Sequence, residues 1–354
     1  MPSPLQGFIA QSQRIVSNFK PYLRWVIFGG TIFFLVSTLR QHWSEVTQLR
    51  IDGTGWSILA AATGITLIAH IWSGWVWSWI LQELNQPAAS VWGILVYLKT
   101  NIAKYLPGNV WHLYGRITAS TQAGIPVEAA ALSVVLEPLL MATAALFITI
   151  VSLESDYRLV QLLGLGLILA AIHPRLLNPL LQKLGRLKAK SIFSKNPKNP
   201  KNPKNSANPA NSASPEAAPA SPEPVDPIDR PLPPATCLKR YPVRPLLGEM
   251  IFVLLRGVGF LFSVSVLTSV SLEQIPLLIS AFSFAWLLGL VVPGAPGGIG
   301  VFEATAIALL DSQFPPAIVF GSVAIYRLIS TIAEAVGAGL AVMVERSQQC
   351  SKHR

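Results

Sequence analysis

The chain has 354 residues, of which 51% are hydrophobic and only 12% charged, about half the roughly 25% charged fraction of a soluble domain. Several apolar runs reach the roughly 18–20 residues needed to span hydrocarbon, which excludes a soluble globular fold. The net charge of +10 is no nucleic-acid signal: thirteen Lys and Arg against four Asp and Glu lie between His173 and Pro245, away from the aromatics, which sit in the spans. A basic segment beside membrane helices reads instead as cytoplasmic and attracted to an anionic lipid surface.

Residues 1–24 carry Arg14, Lys20 and Arg24 and are expected to form a cytoplasmic N-terminus without a signal peptide. Residues 25–39 form a short first span, 40–55 an external loop, and 56–81 a second span. Trp72, Trp75, Trp77 and Trp79 gather near the end of that span, as an interfacial belt does. Residues 88–98 are apolar but short for a crossing, and Lys99, Lys104, Pro107 and Gly108 follow at once. Residues 127–153 make a third span with Glu137 and Pro138 inside it, and 159–172 a shorter fourth.

Residues 188–240 are a linker that holds the Asn-Pro-Lys repeat of 195–204. Such a composition buries too little apolar surface to offset its ordering entropy. It divides a first membrane half, 25–187, from a second, 241–345. The second half opens with a span at 246–270 that carries Glu249 and Arg256. Residues 275–292 then run into two prolines and four glycines before a further apolar stretch, 301–310. Pro clashes inside a helix and Gly weakens it, so this is a broken helix. The last span, 317–344, carries Arg327 and Glu334, and 346–354 is a cytoplasmic tail. Cys237 and Cys350 fall on the cytoplasmic side, where disulfides are rare.

Parity turns these segments into a topology. If the N-terminus and the linker are both cytoplasmic, the four spans before the linker return the chain to its starting side. Residues 88–125 must then enter and leave from the cytoplasm, and 275–310 from the outside. The reading is an all-α polytopic integral membrane protein with about six full spans and two re-entrant broken-helix hairpins. Its halves share one plan in opposite orientation, the inverted repeat of many transporters. The expected location is the cell (inner) membrane, multi-pass.

Ionisable groups inside spans are functional candidates, because each costs roughly 2.5–3.5 kcal/mol to insert. They are Lys99, Lys104, Arg116, Glu137, Glu249, Arg256, Glu303, Arg327 and Glu334. Lys104, Arg116, Arg256 and Arg327 suit an anionic head group, since arginine offers a planar fork and lysine a point charge. Glu249 and Arg256 share a helix face two turns apart, as do Arg327 and Glu334, which fits interhelical ion pairing equally well; exposure at a span end also accounts for Glu249. Gly297, Gly298 and Gly300 precede a short helix, where free backbone N–H groups attract anions, or they simply allow close helix packing. Glu303 either caps that helix or binds a proton or lipid amine, and Glu137 is the better protonation candidate in mid-span. His70, His112 and His173 share no metal-ligand spacing, so neither a metal nor a cofactor is expected, and no nucleophile–base arrangement argues for an enzyme.

Lys104-Tyr105-Leu106-Pro107-Gly108-Asn109-Val110-Trp111, followed by Gly115-Arg116, resembles the first signature of the lysylphosphatidylglycerol synthase transmembrane-region family. Pro293 and Pro296-Gly297-Gly298-Ile299-Gly300-Val301-Phe302-Glu303-Ala304 are similar to its second. The resemblance implies a lipid-handling domain with re-entrant helices, which in the full-length synthases acts as a flippase for aminoacylated phosphatidylglycerol. Carried over by position, it makes Lys104, Arg116, Gly297, Gly298, Gly300 and Glu303 site residues. The synthases' soluble aminoacyl-transfer domain has no counterpart here, so a stand-alone member is expected.

The sequence thus predicts a lipid transporter or flippase for an anionic, aminoacylated or isoprenoid lipid. Its substrate-binding set is Lys104, Arg116, Glu137, Arg256, Gly297, Gly298, Gly300, Glu303 and Arg327. The alternative is a non-catalytic scaffold that presents lipid to a cytoplasmic glycosyl- or aminoacyl-transferase through the basic linker. Nucleic acid is not an expected partner, and a homo-oligomer is compatible with either reading.

Overall fold

The computed structural model describes residues 40, 53–105, 110–152, 158–179, 238–292, 298 and 300–352. The expected N-terminal segment, the first span at 25–39, nearly all of the linker, the two loop tips and Gly297 lie outside the described residues. Every regular element among the described residues is helical.

Helix α1 is Gly53–Glu83, α2 Ser90–Asn101, α3 Trp111–Gln122, α4 Val127–Ser152 and α5 Arg158–Ile172. After the linker come α6 Val243–Ser265, α7 Ile275–Val291, α8 Val301–Leu310 and α9 Pro316–Lys352. Five helices are long and apolar enough to cross a membrane: Gly53–Glu83, Val127–Val151, Val243–Ser265, Leu272–Val291 and Pro316–Gln348. Four of these fall on expected spans. The fifth, Leu272–Val291, was expected as a re-entrant limb; its length alone suffices to cross. The expected fourth span forms α5, whose 15 residues reach only about 22 Å against a hydrocarbon core of roughly 30 Å. Helix α9 also runs past its expected end at Val344, because Glu345 on its extension pairs with Lys99 Nζ at 2.6 Å.

Both sequence breaks take helical form up to their tips. Helix α2 tightens into a 3-10 turn, Ile102–Tyr105, before α3 resumes beyond the tip. Helix α3 ends where Gly124 adopts φ +84 and Ile125 N–H returns to the Ser120 carbonyl at 3.0 Å, a left-handed stop that glycine takes without a Cβ penalty. In the second half Gly298 adopts φ +69. A Cβ there would lie 2.9 Å from Gly289 Cα, so the turn before α8 is pressed directly on α7.

The helix contacts have an internal symmetry. Exchanging α1, α2, α3 and α4 for α6, α7, α8 and α9 maps each packed pair of these helices onto another packed pair. The pair α1–α2 goes to α6–α7, α2–α9 to α7–α4, α1–α9 to α6–α4, and α3–α4 to α8–α9. The contact α1–α6 maps onto itself, while α5 packs on α4 outside the scheme. Helices α1 and α6 run antiparallel: Arg244 lies over the Trp79 ring, Trp72 Nε1 donates to the Gly248 carbonyl, and Gly259 packs on Thr66. The largest apolar core joins α4, α6, α7, α8 and α9 through Phe252, Phe260, Phe282, Phe302 and Tyr326.

Candidate functional site

Helix α3 is built inside out. Its buried residues are Arg116 and Ser120, four apart and therefore on one face, while Trp111 and Tyr114 are 49% and 64% exposed. A soluble helix does the reverse. Polar groups face the bundle here because a cavity of about 160 Å³ lies behind them.

The cavity draws side chains from both halves. Lys104, Arg116, Arg256 and Arg327 bring positive charge, and Glu137 and Glu334 negative; His70, Tyr97, His112, Phe252, Trp286, Phe302 and Tyr326 supply rings. Gly289 and Gly298 bring bare backbone to its wall, and Pro138, inside α4, adds a turn that lacks an N–H.

Three Lys or Arg ion pairs join different elements at the cavity among the described residues. Arg116 Nη1 donates to Glu137 Oε2, both side chains being under 5% exposed. The same guanidinium lies 3.8 Å from the Tyr97 ring centroid, within cation–π range. Tyr97 Oη accepts from Ser73 Oγ at 2.8 Å and faces the Glu137 carboxylate. In the other half Arg327 Nε donates to Glu303 Oε1 at 2.8 Å, and its Nη2 to the Gly298 carbonyl at 3.1 Å. Lys104 Nζ reaches Glu334 Oε1 at 2.6 Å, tying the first break to α9.

The first two pairs occupy equivalent places with their polarity reversed. Arg116 on α3 holds Glu137 on α4, whereas Glu303 on α8 holds Arg327 on α9. Each clasps a short helix to the long one that follows it.

Arg256 differs from the other three cations. Among the described residues no carboxylate pairs with it; its contacts are the Tyr326 ring at 5.0 Å and His70 Nε2 at 3.2 Å. The same His70 Nε2 lies 3.2 Å from Glu334 Oε1. A neutral imidazole nitrogen either donates or accepts, so it serves the carboxylate in one tautomer and the guanidinium in the other. Arg256 Nε is buried without a partner. Of the three guanidinium groups at the cavity, it alone has no carboxylate partner among the described residues.

The structure therefore gathers Lys104, Arg116, Glu137, Arg256, Gly298 and Arg327 at one cavity, with Glu303 just behind. Arg327 and Glu334 enter ion pairs between helices, as the interhelical alternative expected, whereas Glu249 and Arg256 make no such pair among the described residues. Arg327 turns to Glu303 and Glu334 to Lys104 because those partners lie across the packing interface, whereas seven residues along one helix separate Cα atoms by about 10 Å. Glu249 is fully buried rather than exposed at a span end. The glycine turn does not offer all its N–H groups to a ligand: Gly300 N–H donates to Glu303 Oε2, so the protein's own carboxylate caps α8. Lys99 stands apart from the cavity, with Glu345. His70, Tyr97, His112, Tyr326 and Glu334 line the site without having been in the expected set. His112 sits within the first signature, directly after Trp111, and His70 is a lone histidine in an apolar run; those were the available signals.

The family model for the lysylphosphatidylglycerol synthase TM region matches residues 23–337, most of the chain. No curated protein and no solved structure matches it.

Proposed function

Because the chain belongs to the lysylphosphatidylglycerol synthase transmembrane-region family, we propose that it moves a lipid with an anionic head group between leaflets, exposing the cavity to each side in turn. The observation that carries this reading is the cavity itself, where four cationic side chains face Glu137, Glu334 and, just behind, Glu303 at the meeting point of both broken segments. Within a bilayer such a cluster is costly, and a bound anion offsets the excess. A volume of about 160 Å³ accommodates a phosphodiester, with acyl chains left in the bilayer.

The internal symmetry supports alternating access. Equivalent helices that cross antiparallel are related by an axis perpendicular to both, which in a bilayer lies in the membrane plane. The hairpins α2–α3 and α7–α8 then enter from opposite faces, and each clasp closes one access route. Opening Arg116–Glu137 frees α3, and opening Arg327–Glu303 frees α8. The scaffold alternative draws on the basic linker, and no feature of the described bundle favours it.

The test is transbilayer movement of fluorescent phosphatidylglycerol in liposomes that hold the purified protein, beside Arg256→Gln. Movement lost in the variant supports the reading. No movement of phosphatidylglycerol, aminoacylated phosphatidylglycerol or an isoprenoid phosphate refutes it.

A further inference from the structure

Glu249 lies in the second turn of α6, wholly buried, and neither carboxylate oxygen has a hydrogen-bond partner among the described residues. An isolated carboxylate in such surroundings is among the most unfavourable arrangements in a protein interior, and carrying a proton relieves it. The charged groups facing it are Glu137 from α4 and Arg116 from α3; Tyr97 of α2 also feels its charge. Helix α1 packs on this turn through Val76 and Trp79, with Trp72 bonded to the neighbouring Gly248 carbonyl, and brings no charge there. Two carboxylates thus face one guanidinium, and the trio is electrically balanced only when it holds one proton.

The same count over the whole site is more informative. Its cations are Lys104, Arg116, Arg256 and Arg327; its carboxylates are Glu137, Glu249, Glu303 and Glu334. With Glu249 ionised the site is neutral. With Glu249 protonated it carries one excess positive charge, and that charge is Arg256, the guanidinium without a carboxylate partner.

We propose that Glu249 is a proton-binding site coupled to the anion site: one proton is taken up with each monoanionic head group and released with it. The coupling rests on the transport reading; the proton site itself does not. The step moves a proton between water and the Glu249 carboxyl, and no other bond changes. Anion affinity is full while Glu249 binds its proton readily and falls as pH rises, by about tenfold per unit for one linked proton.

Two measurements on the purified full chain test this. The first is the infrared C=O stretch of protonated carboxyls, compared between wild type and Glu249→Gln. A band absent from the variant establishes the proton site, and identical spectra refute it whatever the lipid does. The second is proton uptake, followed with a pH dye in weak buffer at a pH above that at which the lipid-free carboxyl band is lost, as dioctanoyl phosphatidylglycerol is added, with dioctanoyl phosphatidylcholine as control. One proton per lipid in wild type, none in Glu249→Gln and recovery in Glu249→Asp support the coupling. Glu249→Gln is then expected to bind the lipid with no pH dependence. Lipid binding without proton uptake in wild type refutes the coupling and leaves transport standing. A Glu249 carboxyl band without binding of phosphatidylglycerol, aminoacylated phosphatidylglycerol or an isoprenoid phosphate refutes both transport and coupling, leaving a bare proton site.

Discussion

The Arg116–Glu137 clasp is the sharpest test of how charge is held in this bundle. Both side chains are under 5% exposed, so replacing either by Gln leaves the other buried without its counter-charge. Removing one partner of such a pair costs about 3–5 kcal/mol, roughly 10²–10⁴-fold in the folded population. The double variant, Arg116→Gln with Glu137→Gln, removes both charges and leaves two amides that can bond each other. It should therefore lose less than the sum of the singles, with a coupling of about 2–3 kcal/mol. Equilibrium unfolding in mixed micelles gives all four corners of the cycle. Strictly additive losses, or singles within about 1 kcal/mol of wild type, would refute the claim that the clasp holds α3 against α4.

Further expectations follow from exposure and geometry. Lys99→Gln, at a pair whose side chains are both 34% exposed, should change stability by no more than about 1 kcal/mol in the same assay; a loss comparable to that of the clasp would contradict its placement outside the core. Gly298→Ala forces a left-handed φ and brings a Cβ to 2.9 Å from Gly289 Cα, and should lower stability by about 1–3 kcal/mol, read as the unfolding midpoint. Arg256→Gln should weaken dioctanoyl phosphatidylglycerol binding by about 10- to 150-fold, the worth of a charge-assisted contact of roughly 1.5–3 kcal/mol, and titration calorimetry of wild type against variant reads this directly. Arg256→Lys should recover part of the loss, since it keeps the charge and forfeits the fork.

Apolar run length and Pro–Gly punctuation made the bundle legible before any coordinates. They located α1, α4 and α6 to within a few residues, the start of α9, and both breaks. The run expected at 275–292 likewise forms α7, Ile275–Val291, whose 17 residues stop at the proline–glycine break. The charged residues were visible individually, as costly groups in apolar runs. Their partners were not. Arg327 finds Glu303 rather than Glu334, and Lys104 finds Glu334 across more than two hundred residues of chain; such pairs depend on which helices touch. Glu249 shows the same limit from the other side. Its spacing from Arg256 pointed to a partner, and only packing reveals that both its oxygens face none.

The reversed polarity of the two clasps bears on why both routes would not open together. Opening Arg116–Glu137 releases a guanidinium from the short helix, whereas opening Arg327–Glu303 releases one from the long helix. A monoanionic head group replaces one carboxylate, not two. On the proposed cycle it can satisfy Arg116 while Arg327 stays with Glu303, or the converse. With both clasps open, one buried cation and two carboxylates lack counter-charges, at several kcal/mol for each. Exclusion of the doubly open state then follows from the charge count, and no mechanical linkage between α3 and α8 is required. A second anion, or protonation of the freed carboxylates, would weaken that exclusion, so leakage through the protein should rise with acid and with head-group charge.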